Sequence, residues 1–141
     1  MSPIEHETIQ KKLVRLERNI GILKTYIPIE QQVFEEDYTI LGATLHYLVE
    51  SIEIIVDIGN HILAEEFSES ADTYANVIRK LGTHGIVSNQ FAMDNEAMVR
   101  FRNRVIHVYD DIDLKEVHCY LKKAPDVFQE FARQFACFLE K

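Results

Sequence analysis

One short segment of the chain combines residue types that are suited to phosphate chemistry. Residues 100–109, RFRNRVIHVY, hold three arginines on alternate positions, followed by His107 and Tyr109. A guanidinium group stays charged, binds a phosphate through two hydrogen bonds and stabilises negative charge that builds in a transition state. Imidazole titrates near neutral pH, so it can pass protons to or from a ribose hydroxyl or a leaving oxygen. The segment therefore offers the groups that phosphodiester cleavage requires.

A single helix would nevertheless separate the two main groups of this segment. If residues 88–108 are helical, Asn103 and His107 share one face, whereas Arg102 points about 140° away from His107. Their convergence then needs a long arginine reach, distortion at the helix end or a symmetry-related copy. On residue chemistry alone, a histidine near a helix end with arginine neighbours is more often a solvated or C-capping residue than a catalyst.

Length and composition predict one all-α domain that spans residues 1–141. A chain of 141 residues with 47% hydrophobic content can bury one proper core. Only five glycines and three prolines, beside many good helix formers, favour long helices over short strands. The formal net charge of −8 argues against a broad nucleic-acid-binding surface but is compatible with a local basic site.

The spacing of apolar residues predicts an up-and-down bundle of four or five helices. The helices are expected over residues 4–27, 29–67 with a separate turn near 35–37, a short stretch ending at 80, 88–108, and 114 to the end. The apolar stripe of residues 40–63 is wider than one face, so that helix is expected to be covered on two sides. In the last helix, Pro125 either introduces a kink or starts a new helix.

The pattern Arg102-Asn103, three residues, His107, one residue, Tyr109 resembles the signature of the HepT-like branch of the HEPN superfamily. Residues 50–66, the LGTHGIVS turn at 81–88 and the DDID sequence at 110–113 also suit that branch. The similarity extends from the first helix to about residue 135. It implies a helical bundle that forms a homodimer, with a metal-independent and cofactor-free endoribonuclease site at the subunit interface.

The resemblance also implies roles for individual residues. His107 would be the acid/base residue, Arg102 the ligand of the phosphate and of the transition state, and Asn103 a supporting, positioning residue. A two-fold axis would bring Arg102 of one chain near His107 of the other. Arg100 and Arg104 lie outside the motif. For these two residues, contacts to RNA or AMP and simple exposure to solvent are equally expected.

Proteins of this kind are typically toxins of two-gene toxin–antitoxin pairs. Their antitoxin is a minimal nucleotidyltransferase of the MNT type, which can adenylylate the motif tyrosine, here Tyr109. AMP at that position would add negative charge and bulk where the RNA phosphate should lie. An alternative is a non-catalytic helical partner that binds a nucleotidyltransferase or its nucleotide. A scaffold of that kind would have no need of the imidazole.

Polar residues at helical spacing form a narrow line on the helix of residues 40–63. They are His46, Glu50, Glu53, Asp57 and His61. A di-iron carboxylate bundle needs Glu-x-x-His pairs, which the sequence lacks, so a structural or dimer-interface stripe is favoured over a metal site. A position of Asp57 and His61 beside the active cleft remains an alternative interpretation.

The remaining polar and sulfur-containing residues suggest no separate chemistry. His84 lies in a glycine-flanked turn that lacks the lysine of a phosphate-binding loop. Cys119 and Cys137 are expected to be reduced thiols in the core. The chain has neither a signal-peptide pattern at its start nor a run of about 18 apolar residues, which predicts a soluble, cytoplasmic protein without a membrane partner.

Overall fold

The computed structural model describes residues 3–141, with side chains from Glu5 onward. Within this range the chain is all α-helical, as predicted, and contains no strand. The helices are α1 Pro3–Tyr26, α2 Gln31–Glu36, α3 Tyr38–Phe67, α4 Tyr74–Thr83, α5 Asn89–Asp94, α6 Ala97–His107 and α7 Leu114–Leu139, with a 3₁₀ turn at Tyr109–Asp111. The five longer helices form the bundle, and α2 and α5 are segments of six residues each.

Helix α3 is the central element of the bundle. The predicted break before it is confirmed, because α2 ends at Glu36 and Asp37 caps α3 by accepting hydrogen bonds from the backbone N–H groups of Thr39 and Ile40. α3 packs against α1, α2, α4, α6 and α7, which explains an apolar surface wider than one face.

By length and composition alone, α3 also qualifies as a membrane-crossing helix. Its most apolar window of 18 residues has a mean hydropathy of 1.4, and 56% of that window is buried inside the bundle. A core helix that is covered by five others meets the same criteria, so its apolar character is accounted for by the fold.

Helix α7 supplies the aromatic part of the core. The helical spacing of Phe128, Phe131 and Phe135 in the sequence predicts that they share an inner face, and all three are fully buried. Pro125 lies inside α7 and is itself buried, and no new helix begins there. The prediction of core thiols is wrong, because Cys119 and Cys137 are both exposed and unpaired by any disulfide. They lie on the outer side of α7, opposite the helix face that is buried in the core.

The predicted helix over residues 88–108 is divided into α5 and α6 at Asn95 and Glu96. The Asn95 side chain donates to the Phe91 carbonyl oxygen at 2.9 Å, and its backbone N–H donates to the Ala92 carbonyl at 3.2 Å. Such local bonds of asparagine compete with the helical pattern. Arg102 and His107 thus belong to a separate helix of 11 residues.

The turn between α4 and α5 depends on two glycines. Gly85 has a φ of +70°, a conformation that favours glycine, and the backbone N–H of Ile86 closes the turn on the Leu81 carbonyl oxygen at 3.0 Å. A Cβ on Gly82 would lie 2.8 Å from the Cβ of Ala92 and 3.2 Å from the Cα of Asn89. The backbones of α4 and α5 therefore approach each other too closely for a larger residue.

Gly82→Ala is expected to lower the free energy of unfolding by about 1–3 kcal/mol, because the new methyl group collides with the Ala92 Cβ and the Asn89 Cα, which cannot move without the backbone of α5. Gly21→Ala is the matched control, since Gly21 is an exposed helical glycine with no atom within 4 Å of a built Cβ. It should raise the stability by about 1 kcal/mol. Urea unfolding followed by circular dichroism, at one protein concentration, measures both; a Gly82→Ala chain as stable as Gly21→Ala would contradict the close approach.

Candidate active site

Helix α6 holds the motif residues at fixed positions on the bundle. Met98, Val99, Phe101 and Val105 are buried and attach one face of the helix to the core. The opposite face carries Arg100, Asn103, Arg104 and His107, all of which are exposed. Arg102 lies between the two faces and is partly buried.

The guanidinium of Arg102 is held by three contacts. Its Nη2 donates to Glu53 Oε2 on α3 at 2.8 Å, and its Nη1 donates to Asn103 Oδ1 at 3.2 Å. The Tyr74 ring on α4 lies against it, with 4.6 Å between the guanidinium carbon and the ring centroid. Only 17% of the Arg102 side chain is exposed, and its buried Nε has no hydrogen-bond partner. This arginine therefore has a defined orientation that an exposed surface arginine lacks.

His107 stands apart from this cluster. It is the last residue of α6, its side chain is exposed, and it forms no hydrogen bond or ion pair with the part of the chain that the structure describes. Asn103 contacts Arg102 instead of the imidazole. One chain therefore brings Arg102 and Asn103 into contact and leaves His107 facing solvent. The angle between positions on one helix predicted that Arg102 and His107 diverge, but not that Asn103 contacts Arg102.

Tyr109 lies beyond the helix and between two grooves. α6 ends at His107, Val108 adopts φ −133° and ψ 42°, and Tyr109 begins a 3₁₀ turn with 54% of its surface exposed. A groove of about 420 Å³ between α3 and α6 contains His46, Glu50 and Glu53 and has Ile106 and Tyr109 at its edge. We call it the α3–α6 groove.

A second groove lies on the other side of Tyr109. It has a volume of about 510 Å³ and is lined mainly by Tyr38, Leu41, Leu45, Ile112 and Leu114. Four large apolar side chains are exposed around the two grooves, and we call this set the apolar rim. It consists of Tyr38, Ile106, Val108 and Tyr109.

The two arginines outside the motif differ from each other. Arg104 forms an ion pair with Glu116 on α7, with Nε 2.9 Å from Oε1, and so links α6 to α7. Arg100 is exposed and makes no ion pair or hydrogen bond within residues 5–141. Of the two, Arg100 is the cation that can bind a ligand without breaking an existing contact.

The polar line on α3 is mostly structural, as predicted. Arg15 of α1 contacts both Glu50 oxygens, at 2.9 and 3.2 Å, and the buried Asn19 donates to Glu50 at 3.0 Å. The Arg15 hydrogen bond holds the pKa of the Glu50 carboxyl below its ordinary value, although partial burial acts in the opposite direction. His46 lies 3.4 Å from Glu50.

The same line continues along α1 towards its first turn. Asp57 pairs with Lys12 at 3.3 Å, and His61 pairs with Glu5 at 3.0 Å. Neither Asp57 nor His61 contacts the motif residues; they attach α3 to α1. Among the described residues, no group of three or more His, Cys, Asp or Glu side chains is arranged to hold a metal ion. Of this line, Glu53 is the residue that bonds a side chain of α6, through Arg102.

Sequence reasoning missed two partners of Arg102. Glu53 is part of the polar line, but its spacing gave no indication that it faces Arg102, which lies 49 positions later. Tyr74 begins α4 after a polar loop and has no sequence signal at all. Which side chains meet Arg102 depends on how α3, α4 and α6 rotate against one another.

Comparison with known sequences gives a match along most of the chain. The sequence profile of a family described as Ribonuclease HepT-like matches residues 16–135. A protein of Aphanizomenon flos-aquae (strain 2012/KM1/D3) named tRNA nuclease HepT is 26% identical over 141 residues, which cover 99% of this chain and 95% of that protein.

Solved structures share the fold. A tri-AMPylated HEPN toxin of Shewanella oneidensis, in complex with an MNT antitoxin, matches with a TM-score of 0.83 and 20% identity, over 97% of this chain and 99% of that one. YutE of Bacillus subtilis, described as a cytosolic protein of unknown function, matches with a TM-score of 0.80 and 20% identity, over 96% and 90% of the two chains. At this identity the structural match demonstrates a common architecture.

Proposed function

Since the chain belongs to the HepT-like family of ribonucleases, we propose that it is a metal-independent endoribonuclease and the toxin component of a toxin–antitoxin pair. Its substrate class is RNA, and its catalytic residues are Arg102 and His107, with Asn103 in support. The relative named a tRNA nuclease supports the activity, and the toxin–antitoxin complexes with the same fold support the biological role.

The observation that carries this proposal is the state of Arg102. The two bonds to Glu53 and Asn103 use one hydrogen of each Nη, so the second hydrogen of each has no bond to the described residues, and we propose that it binds the ligand. These two hydrogens suit a phosphate that binds through two oxygens. An arginine already oriented before substrate binds needs no rearrangement to stabilise a phosphorane-like transition state.

His107 is proposed as the proton-transfer group. In the expected chemistry the ribose 2′-hydroxyl loses its proton and attacks the neighbouring phosphorus, while the 5′-oxygen of the next nucleotide leaves and gains a proton. The exposed imidazole at the end of α6 is accessible to a substrate from solvent. It does not converge with Arg102 inside one chain, so we propose a site shared between two copies.

The apolar rim supports a second copy at this place. Tyr38, Ile106, Val108 and Tyr109 are 78%, 48%, 46% and 54% exposed. Ile106, Val108 and Tyr109 flank His107 in the sequence, and Tyr38 lines the same groove as Tyr109. A homodimer that covers Tyr38, Ile106 and Val108 would remove these three side chains from water, place the two α6 helices side by side and leave the Tyr109 hydroxyl at the edge of the interface. The substrate phosphate would then lie between Arg102 of one protomer and His107 of its partner.

The proposed regulator is an MNT-type nucleotidyltransferase antitoxin that transfers AMP to Tyr109. The hydroxyl acceptor is on an exposed side chain next to the proposed site. The structural neighbour in complex with an MNT antitoxin supports this partner. We propose the cytoplasm as its location, as for the neighbour described as cytosolic.

RNA cleavage by the purified chain in the presence of EDTA tests the activity. Wild type should cleave RNA, with tRNA included among the substrates, and His107→Ala and Arg102→Ala should each reduce the rate by about 10³-fold. His6→Ala and Arg133→Ala are matched controls, because both residues are exposed and lie on α1 and α7 away from the site. An inactive wild type, or His107→Ala and Arg102→Ala chains with undiminished rates, would leave the non-catalytic binding partner as the better description.

A further inference from the structure

We propose that Glu53 and Tyr74 are positioning residues, which hold the guanidinium of Arg102 in the orientation that RNA cleavage requires. This inference rests on the proposed function and adds two residues to the site that lie outside the segment 100–109. They come from α3 and α4, so the orientation of Arg102 depends on three helices of the bundle.

The two residues restrict different movements of the same group. Glu53 Oε2 accepts from Nη2 at 2.8 Å, which fixes the direction in which the guanidinium points. The Tyr74 ring, 4.6 Å from the guanidinium carbon, covers one face of its plane. One face of the guanidinium is covered, Nε is buried, and Nη1 and Nη2 each give one hydrogen bond, to Asn103 and to Glu53. The phosphate is therefore expected at the in-plane edge between the two Nη atoms, where it can form paired hydrogen bonds.

The contact made by Glu53 differs from that of Glu50, which lies one turn earlier on α3. Glu50 receives two hydrogen bonds from Arg15 and one from Asn19, so that pair is closed to other ligands. Glu53 makes a single bond to Arg102 and leaves the other Nη2 hydrogen available. A single hydrogen bond orients the guanidinium and does not use all of its donor hydrogens.

The burial of Arg102 also points to position rather than stability. Its Nε is buried without an acceptor, which costs stability, and the ion pair with Glu53, whose side chain is 38% exposed, offsets only part of that cost. Buried polar atoms without a partner are rare in native proteins, and catalytic roles are among the reasons for them. The cluster is therefore better explained by what it does for a substrate than by what it adds to folding.

Steady-state cleavage of RNA by full-length variants tests the role in the reaction. Glu53→Ala should lower kcat by about 10²-fold and change KM far less, because a small misplacement of a catalytic group acts on the transition state. Glu53→Gln keeps an acceptor oxygen and should recover most of the rate. Tyr74→Phe should match wild type because it keeps the ring, whereas Tyr74→Ala should lose about tenfold in kcat. Asp57→Ala is the matched control, since Asp57 lies one turn further on α3 and pairs with Lys12.

Three kinetic results would overturn the proposal. A higher KM with unchanged kcat would mean that Glu53 affects only RNA binding. A faster Glu53→Ala chain would mean that the carboxylate competes with the phosphate. Equal losses in Glu53→Ala and Asp57→Ala would indicate a general effect on the bundle, which thermal unfolding of both variants measures directly.

A second measurement separates this proposal from the nuclease activity itself. NMR of arginine side chains labelled with ¹⁵N reports how fast the guanidinium rotates about its Nε–Cζ bond. Rotation should be slow for Arg102 in wild type and fast in Glu53→Ala, while Arg104 should be the same in both. Equal rotation rates for Arg102 would refute the positioning role even in an active enzyme. If Arg102 rotates slowly in a chain that cleaves no RNA, the proposed nuclease activity is refuted, whereas the contacts of Glu53 and Tyr74 still hold the guanidinium in place.

Discussion

Mixing the two inactive variants Arg102→Ala and His107→Ala is expected to restore about a quarter of the wild-type rate of RNA cleavage. In a shared site, Arg102 of one protomer acts with His107 of its partner. A mixed dimer then contains one site that lacks both groups and one site that has both. Random pairing makes about half of the dimers mixed, and half of their sites are intact.

The structure gives the physical reason for expecting this result. Arg102 is directed towards Glu53 and Tyr74, on α3 and α4, whereas His107 is exposed at the end of α6. A site within a single chain would need both groups on one side of an 11-residue helix. In that case no mixture could recover activity, since every chain would lack one group.

Co-expression of the two variants with different affinity tags allows the mixed dimer to be isolated and assayed. Native mass spectrometry measures the fraction of mixed dimers. Arg102→Ala paired with the double variant Arg102→Ala/His107→Ala is the control and should remain inactive, because neither site then contains Arg102. If the isolated mixed dimer is inactive, the proposed arrangement is wrong. The reaction then takes place within one chain, or one site needs Arg102 and His107 from both protomers.

Tyr109→Phe is expected to leave RNA cleavage intact and to abolish its inhibition by a nucleotidyltransferase antitoxin. The phenyl ring keeps the packing of Tyr109 at the apolar rim but removes the oxygen that would accept AMP. In wild type, AMP on Tyr109 should reduce the rate by about 100-fold, the size of effect produced when one stabilising contact to the transition state is lost. Its negative charge repels RNA phosphate, and its bulk fills the space at the edge of the α3–α6 groove.

Co-expression with the antitoxin, followed by intact-mass measurement and an RNA cleavage assay, checks this expectation. Tyr38→Phe is the matched control, because Tyr38 is 78% exposed and lines the groove on the other side of Tyr109. It should still be modified and inhibited. A Tyr109→Phe chain that stays inhibited would mean that binding of the antitoxin, rather than the modification, blocks the site.

Sequence periodicity predicted those parts of the structure that depend on local spacing. Apolar residues on α3 and phenylalanines on α7 recur at helical intervals, and each set is buried where the pattern indicated. The divergence of Arg102 and His107 likewise follows from their separation on one helix. These features need only the geometry of a helix and the tendency of apolar side chains to leave water.

Features that depend on how helices are rotated against one another were not predictable. The partner of Arg102 is a glutamate 49 positions earlier, which no spacing rule identifies. The burial of Cys119 and Cys137 was wrongly predicted, because it was inferred from the residue type and not from their positions on the outer face of α7. The break at Asn95 depends on one side-chain hydrogen bond to Phe91, which competes with an otherwise favourable helical pattern.

The two breaks that bound α6 have a mechanical consequence. The helical pattern is interrupted before Ala97 and ends at His107, so α6 is a short helix of about 16 Å with a change of backbone conformation at each end. A helix of this length moves as a rigid body. A rotation of α6 that parts Arg102 from Glu53 also displaces His107. Because each proposed site pairs Arg102 of one protomer with His107 of its partner, such a movement in one chain would disturb both sites of the dimer at once.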